Sequence, residues 1–272
     1  MMNADFPTRS LNDLLRLDGR RAVVTGGAQG LGFAIAARLV EAGAHVVLGD
    51  IDGAAASRAA RLLEERGGRA SGCRLDVRDG GSVAAFMGYC QAEAGGLDII
   101  VNNAGIYPVK DALSMSDEEW DATIDTNLRG TFLCSREAAR LMRADTIAGT
   151  KAILNIVSTS GFRGRQGLVH YTASKHGVVG LTKSLALELG AYGIRVLALA
   201  PTLTRTPGIV ERAAADGSAL AGEVEKRIVE TIPLGRASQP DDIARVAVFA
   251  VGELAGFMTG TLLCVDGGLT AF

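Results

Sequence analysis

The sequence predicts an α/β fold: one doubly wound parallel sheet of seven strands with helices on both faces. Three observations lead there. Short apolar or β-branched runs alternate with longer helix-like segments along the chain, and parallel neighbours need such crossovers. Runs such as Ile99-Ile100-Val101 and Val196-Leu197-Ala198-Leu199 are apolar without alternation, as suits strands covered on both sides. The first such run ends in a glycine-rich turn that opens a helix. Strands are expected near 21–25, 44–49, 69–75, 97–101, 151–157, 194–200 and 261–265, and helices near 30–42, 53–66, 80–94, 116–145, 171–191, 207–229 and 240–251. No proline-rich, serine-rich or charged linker divides the 272 residues. A single domain is therefore expected over 18–272, after a short N-terminal extension at 1–17.

Each early element carries a chemical suggestion. Arg21 to Thr25 is a β-branched run that fits a buried strand and leads into Gly26-Gly27-Ala28-Gln29-Gly30-Leu31-Gly32. Strand, glycine-rich turn and helix form the Rossmann-like setting for a dinucleotide. The glycines let the backbone approach a pyrophosphate, and the helix N-terminus offers free N–H groups to it. The second strand ends at Asp50, followed by Ile51-Asp52. A carboxylate there can accept from adenosine ribose hydroxyls and repels a 2′-phosphate, which favours NAD over NADP. Asp50, Asp76, Asn102, Ser158 and Pro201 all fall at or just beyond strand ends, where ligands bind in open α/β sheets.

The segment from Tyr171 to Leu189 reads as a helix, so Tyr171 and Lys175, four residues apart, share one face. An ammonium about 4 Å from a phenol favours phenolate by roughly 4 kcal/mol at an effective dielectric near 20. The pair is thus expected to lower the Tyr171 pKa towards the range of a general acid/base. Ser158 lies thirteen residues before Tyr171 and lacks a Gly-x-Ser-x-Gly setting, so it reads as a hydrogen-bond donor to a substrate oxygen, not a nucleophile. His45, His170 and His176 show neither a hydrolase signature nor metal-ligand spacing; packing or surface roles are expected, with no metal.

Composition excludes other classes. A net charge of −2 with interspersed signs gives no nucleic-acid footprint and no polybasic membrane face. The cysteines, Cys73, Cys90, Cys134 and Cys264, are widely spaced, which suits small apolar residues in a reducing compartment. An acidic N-terminus without a long apolar stretch argues against a signal peptide, and no window approaches a membrane span. A cytoplasmic protein is expected.

Thr25-Gly26 with Gly30 and Gly32, Asn102-Asn103-Ala104-Gly105, Ser158, Tyr171 and Lys175 together resemble the short-chain dehydrogenase/reductase family, in the family's order and from about residue 18 to the C-terminus. The resemblance implies NAD(H)-linked interconversion of a secondary alcohol and a ketone through Asn127, Ser158, Tyr171 and Lys175. It places Gly26, Gln29, Gly30, Leu31, Gly32, Asp50, Ile51, Asp76, Val77, Asn103, Ala104, Gly105, Tyr171, Lys175, Pro201, Thr204 and Thr206 on the cofactor. Asp76 and Val77 would bracket the adenine edge. Asn127 would bend its helix and position a water beside Lys175, and Lys175 would hold the nicotinamide ribose.

Ser158 and Tyr171 would meet the substrate together with Tyr107, Phe162, Leu168 and Ile209, which suggests an apolar or ring-shaped alcohol under a mobile lid at about 203–231. Arg163 and Arg165 are expected as solvated loop residues, an anionic substrate group being the other reading. The family's Pro-Gly after the sixth strand is here Pro201-Thr202; a Cβ at 202 restricts the backbone that leads to Thr204. An NADPH-linked ketone or 3-oxoacyl-thioester reductase is the alternative enzyme, and a nucleotide-sensing scaffold the alternative class. The resemblance also implies a homotetramer. Ala138, Ala139, Leu141 and Met142, with Leu181, Leu185 and Leu189, are expected to supply apolar interface, together with a C-terminal segment ending at Phe272.

Overall fold

The architecture follows from which residues can be buried on two faces at once. In the computed structural model, which describes residues 9–145, 149–206, 226 and 229–271, seven parallel strands form one sheet in the order β3-β2-β1-β4-β5-β6-β7. They are β1 (Arg21–Thr25), β2 (His45–Asp50), β3 (Arg69–Arg74), β4 (Ile99–Asn102), β5 (Lys151–Ile156), β6 (Ile194–Pro201) and β7 (Leu262–Val265). Every expected strand is present within one or two residues. β1, β4 and β6 are buried along their whole length, as their unbroken apolar runs require.

Alternation along each strand sends neighbours to opposite layers. Val24, Val101 and Leu154 pack with α2 (Gly30–Glu41), α3 (Gly53–Glu64) and the late helix Pro240–Val251. Val23, Ile100 and Ile153 pack with α4 (Gly80–Ala94) and the helices that follow β4 and β5. A short helix, α1 (Leu11–Leu15), precedes the sheet; Leu17 just after it is buried in the first of these clusters.

The helix expected over 116–145 is three pieces. α5 (Asp117–Ile124) passes into a π-helical turn, Asp125–Arg129, and then into α6 (Gly130–Ala144). The Gly130 N–H reaches the Asp125 carbonyl, an i to i+5 bond. Asn127 sits in that turn, fully buried, where a polar residue with poor helix propensity is tolerated by local widening. α7 is Val169–Leu189 and α8 is Pro240–Val251. Nearly all of the helix expected at 207–229, most of the lid at 203–231, Ile209 and Phe272 lie outside the described residues.

One expectation fails on packing. Ala138, Ala139, Met142 and Leu185 are buried within the chain's own second cluster, and Leu141, Leu181 and Leu189 pack against it. The four buried residues complete this subunit's core, because the same faces of α6 and α7 cover the sheet, while Leu141, Leu181 and Leu189 stay half-buried. The large apolar side chains these helices leave exposed are Phe132, Val169 and Leu187.

Candidate active site

The crevice opens where the strand order reverses, between β1 and β4. There the chain after β1 turns one way and the chain after β4 the other. Thr25, at the end of β1, ties them together: its hydroxyl accepts from the N–H groups of Asn103 and Ala104, both at 3.0 Å. The Asn103 side chain returns two bonds, to the carbonyls of Thr25 and Gly26 at 3.1 and 3.0 Å. The glycine turn is thereby fixed open. Gly26 and Gly30 hold φ of +62° and +58°, a region that favours glycine. A Cβ on Gly32 would stand 2.1 Å from the Gly26 carbonyl oxygen. Gly32 therefore lets α2 close on the turn from behind, and it does not line the cleft.

The cleft is about 530 Å³. At the β2 end, Asp50 accepts from the N–H groups of Ala28 at 3.1 Å and Asp52 at 3.2 Å, so one backbone turn orients its carboxylate against the other. Ile51, Asp76 and Val77 line the same end. Arg78, which sequence reasoning missed, pairs with Asp76 at 2.7 Å and holds its carboxyl below the usual range. Asp79, not Asp76, caps α4. Gln29, Gly30, Leu31, Ala104, Gly105, Pro201, Thr204 and Thr206 also line the cleft. Thr206 comes across to Gly30, where a Cβ would meet its side chain at 3.4 Å. Thr204 is pinned by a bridge to Ser238 built from the Ser238 N–H to Leu203 and the Arg205 N–H to Ser238. That pattern turns Thr204's own peptide groups away from Ser238, so the Cβ at Thr202 has not displaced it from the cleft.

At the β5 end stand Ser158, Tyr171 and Lys175. Tyr171 and Lys175 ride one face of α7; Ser158 follows β5 and hydrogen-bonds the Tyr171 phenol. Lys175 is buried, with Nζ 2.8 Å from the Ile156 carbonyl oxygen and 5.6 Å from the Tyr171 ring centroid. Burial pulls its ammonium down to about 8. The expected depression of Tyr171 by Lys175 does not hold. Burial pushes the phenol above its ordinary value, opposed by the Ser158 hydrogen bond and the charge of Arg165. The reason is geometric: the ammonium faces the Ile156 carbonyl, not the phenol oxygen. Such a pair can exchange a proton with an oxygen placed between Ser158 and Tyr171.

Asn127 lies behind the cleft, not on it. Its side chain accepts from the Ile106 N–H and donates to the Ile106 carbonyl, both at 2.8 Å, and donates to the Ser174 hydroxyl at 3.1 Å. These bonds clamp the loop that carries Tyr107. Tyr107 stacks edge-on against Tyr171 at 6.2 Å and lines the cleft with Leu168. Phe162 does not line it, because the 3₁₀ turn Thr159–Gly161 carries it outwards. Ile106, Thr126 and Arg165 do line it; Ile106 and Thr126 give no local sequence signal, since they are brought near by the Asn127 bonds to Ile106 and by the π turn that carries Thr126. Asn102 is structural: its amide donates to Ser135 and Asn155 at 2.9 and 2.8 Å.

A family model described as Enoyl-(Acyl carrier protein) reductase matches residues 26–270. The chain belongs to the short-chain dehydrogenase/reductase family of nicotinamide-dependent oxidoreductases. It is 41% identical over 253 residues to a cis-4-hydroxycyclohexanecarboxylate dehydrogenase from Sinomonas cyclohexanicum, covering 93% of this chain and 97% of that one. It is 37% identical over 255 residues to a 3alpha-hydroxysteroid dehydrogenase from Mediterraneibacter gnavus, covering 93% and 98%. The crystal structure of a short-chain type dehydrogenase/reductase from Mycobacterium marinum superposes with a TM-score of 0.87 at 32% identity, covering 97% of this chain and all of that one. Among the described residues no helix is long and apolar enough to cross a membrane.

Burying Lys175 has a measurable cost. An ammonium lowered from 10.5 to about 8 by folding releases protons on folding between those values, so stability rises with pH across that window and the full penalty stands below pH 8. The penalty is of order 3 kcal/mol, partly offset by the hydrogen bond to Ile156. Lys175→Met should therefore raise the melting temperature of the cofactor-free protein by a few degrees at pH 7, with the gain shrinking towards pH 10. Differential scanning calorimetry at both pH values checks the sign and the trend.

Proposed function

We propose that the protein is an NAD(H)-dependent dehydrogenase that interconverts an apolar, ring-bearing secondary alcohol and its ketone. One observation carries this reading: Ser158, Tyr171 and Lys175 meet at one end of a cleft whose other end is built by the glycine turn and Asp50. The cradle fits a dinucleotide. Among the described residues, Gly30 leaves the α2 N-terminus open, with only the Thr206 side chain within reach of a Cβ, and Asp50 presents a fixed carboxylate to a ribose. The N–H groups of the turn through Leu31 would hold the pyrophosphate, Asp76 and Val77 the adenine, and Thr204 and Thr206 the carboxamide. The bound nicotinamide supplies the acceptor for the carbinol hydride.

The chain's own residues handle the oxygen. Ser158 donates to and orients it, while Tyr171 takes the hydroxyl proton in oxidation and returns it in reduction. Lys175 would bind the nicotinamide ribose, and it carries its charge on the same face of α7 as Tyr171, 5.6 Å from the ring. Asn127 is a positioning residue that fixes the Ile106–Tyr107 loop through main-chain bonds. The names of two relatives, a hydroxycyclohexanecarboxylate and a hydroxysteroid dehydrogenase, support a ring alcohol, as does the Tyr107–Tyr171 pair. A second reading, reduction of a 3-oxoacyl thioester with NADPH, is favoured by the description of the matching family model. Against NADPH, Arg78 is already engaged by Asp76 and does not offset Asp50. Four free thiols support a cytoplasmic site.

Tyr171→Phe should abolish nearly all turnover of 4-hydroxycyclohexanecarboxylate or cyclohexanol while NADH binding, followed by fluorescence, stays close to normal. Retention of a tenth of the activity would remove Tyr171 from the proton step. Because burial holds the phenol up, the phenolate fraction grows with alkalinity, so parent oxidation should rise from pH 7 to 10 and ketone reduction fall.

Asp50 should set an NAD over NADP preference of at least about tenfold in kcat/KM, and Asp50→Ala should narrow it. Equal use of both by the parent enzyme would reject the assignment, and 3-oxoacyl thioesters assayed alongside separate the second reading.

The homotetramer is also proposed, now on the exposed Phe132, Leu187 and Phe257; Phe132 carries Arg136 over its ring at 5.4 Å. Closed twofold arrangements suit self-complementary patches of this kind. Light scattering at micromolar concentration should give four times the mass of the 28.2 kDa chain, and a stable monomer would sink the proposal.

A further inference from the structure

The substrate end of the cleft holds a cation that the proton chemistry above leaves without a task. Five charged side chains line the cleft among the described residues: Asp50, Asp76, Arg78, Arg165 and Lys175. Asp50 is bound by two N–H groups, Asp76 and Arg78 pair with each other, and Lys175 is buried on the Ile156 carbonyl. Arg165 differs from all of them. Its guanidinium makes no ion pair or hydrogen bond with any described residue, and its charge reaches Tyr171. It stands on the rim at the β5 end, across the sheet from the adenosine end.

The rim that carries Arg165 is held in place. The Arg165 carbonyl accepts from the Leu168 N–H at 3.2 Å, closing a turn into α7. The Gly167 carbonyl accepts from the Lys110 N–H at 2.9 Å, which stitches that turn to the loop bearing Tyr107. Tyr107, Leu168 and Ile106 around it are largely apolar. An unpaired guanidinium carried by a fixed turn beside apolar walls matches a ligand with an apolar body and an anionic end, since its planar fork pairs a carboxylate through two parallel bonds.

We infer that Arg165 is a specificity-determining residue, binding a carboxylate on the substrate at the end remote from the carbinol, so that the preferred substrates are hydroxy acids and keto acids with an apolar ring between the two groups. This rests on the alcohol–ketone reading above and names the substrate class within it. The carboxylate would be held at the mouth while the carbinol oxygen lies between Ser158 and Tyr171.

The test compares 3- and 4-hydroxycyclohexanecarboxylate with their methyl esters, using enzyme saturated with NAD. The acids should exceed their esters about tenfold or more in kcat/KM, with the difference in KM, as expected for hydrogen bonds to a charged group. Arg165→Ala should collapse the acid-to-ester ratio towards one, and Arg165→Lys should restore part of it. NAD affinity should be unmoved by either change; a rise in its Kd with the acid-to-ester ratio kept would reassign Arg165 to the cofactor and overturn the inference. Cyclohexanecarboxylate, which has no carbinol, gives a readout independent of turnover: calorimetric binding to the NAD complex should be lost in Arg165→Ala. Equal kcat/KM for acid and ester in the parent enzyme would overturn the inference while leaving the dehydrogenase reading intact. Binding of cyclohexanecarboxylate through Arg165 without turnover of any alcohol would do the reverse.

Discussion

Two loops that leave the sheet in opposite directions are held at one point, and the site depends on that restraint. Thr25 accepts from Asn103 and Ala104, and Asn103 donates back to Thr25 and Gly26. Four hydrogen bonds in so small a space satisfy backbone groups that the divergence of β1 and β4 would otherwise strand inside the protein. They also set the floor of the crevice. The glycine turn can then stand open above α2, and the chain beyond Ala104 passes on to Tyr107. Without this tie the turn and the catalytic end would be separate loops with no fixed spacing.

The catalytic end is built against the grain of stability. Lys175 is an ammonium taken out of water with one carbonyl for company, and Tyr171 is a phenol whose ionisation burial opposes. Groups poised in this way are common where proton transfer is needed and unusual where only packing is at stake. The supporting shell is correspondingly firm. Asn127 spends both ends of its amide on Ile106, and Asn102 ties β4 to β5 and α6 from inside the sheet. Polar groups buried with partners hold an arrangement that apolar packing alone would leave loose.

The sheet was legible in the sequence because a strand covered on both faces needs an unbroken apolar run, and β1, β4 and β6 have one. Ser158, Tyr171 and Lys175 were legible because spacing on a helix and position after a strand are local facts. What was missed depends on tertiary contact. Nothing near Phe162 announces that a 3₁₀ turn carries it away; Arg78 is the exception, since its pairing with Asp76 two residues away is a local contact. The apolar residues of α6 and α7 read equally well as interface or as core, and the sheet beneath them claimed them. The Tyr171 pKa was misjudged in sign because helical spacing brings Lys175 alongside but does not say where its ammonium points.

The π turn at Asp125–Arg129 joins two requirements in a single length of chain. One residue is worth about 100° of helical rotation, so the widened turn sets the phase between α5, which faces the cleft through Ala122, and α6, whose outer side bears Phe132. Removing a residue here would restore ordinary α-helical bonding and swing one of those faces out of line. The segment is therefore a gauge: its length records how the inward-facing residues and the outward-facing ones must be clocked against each other. A change in chain length within it would be felt at both surfaces, at the cleft directly through Thr126 and at the outer face through the phase of α6.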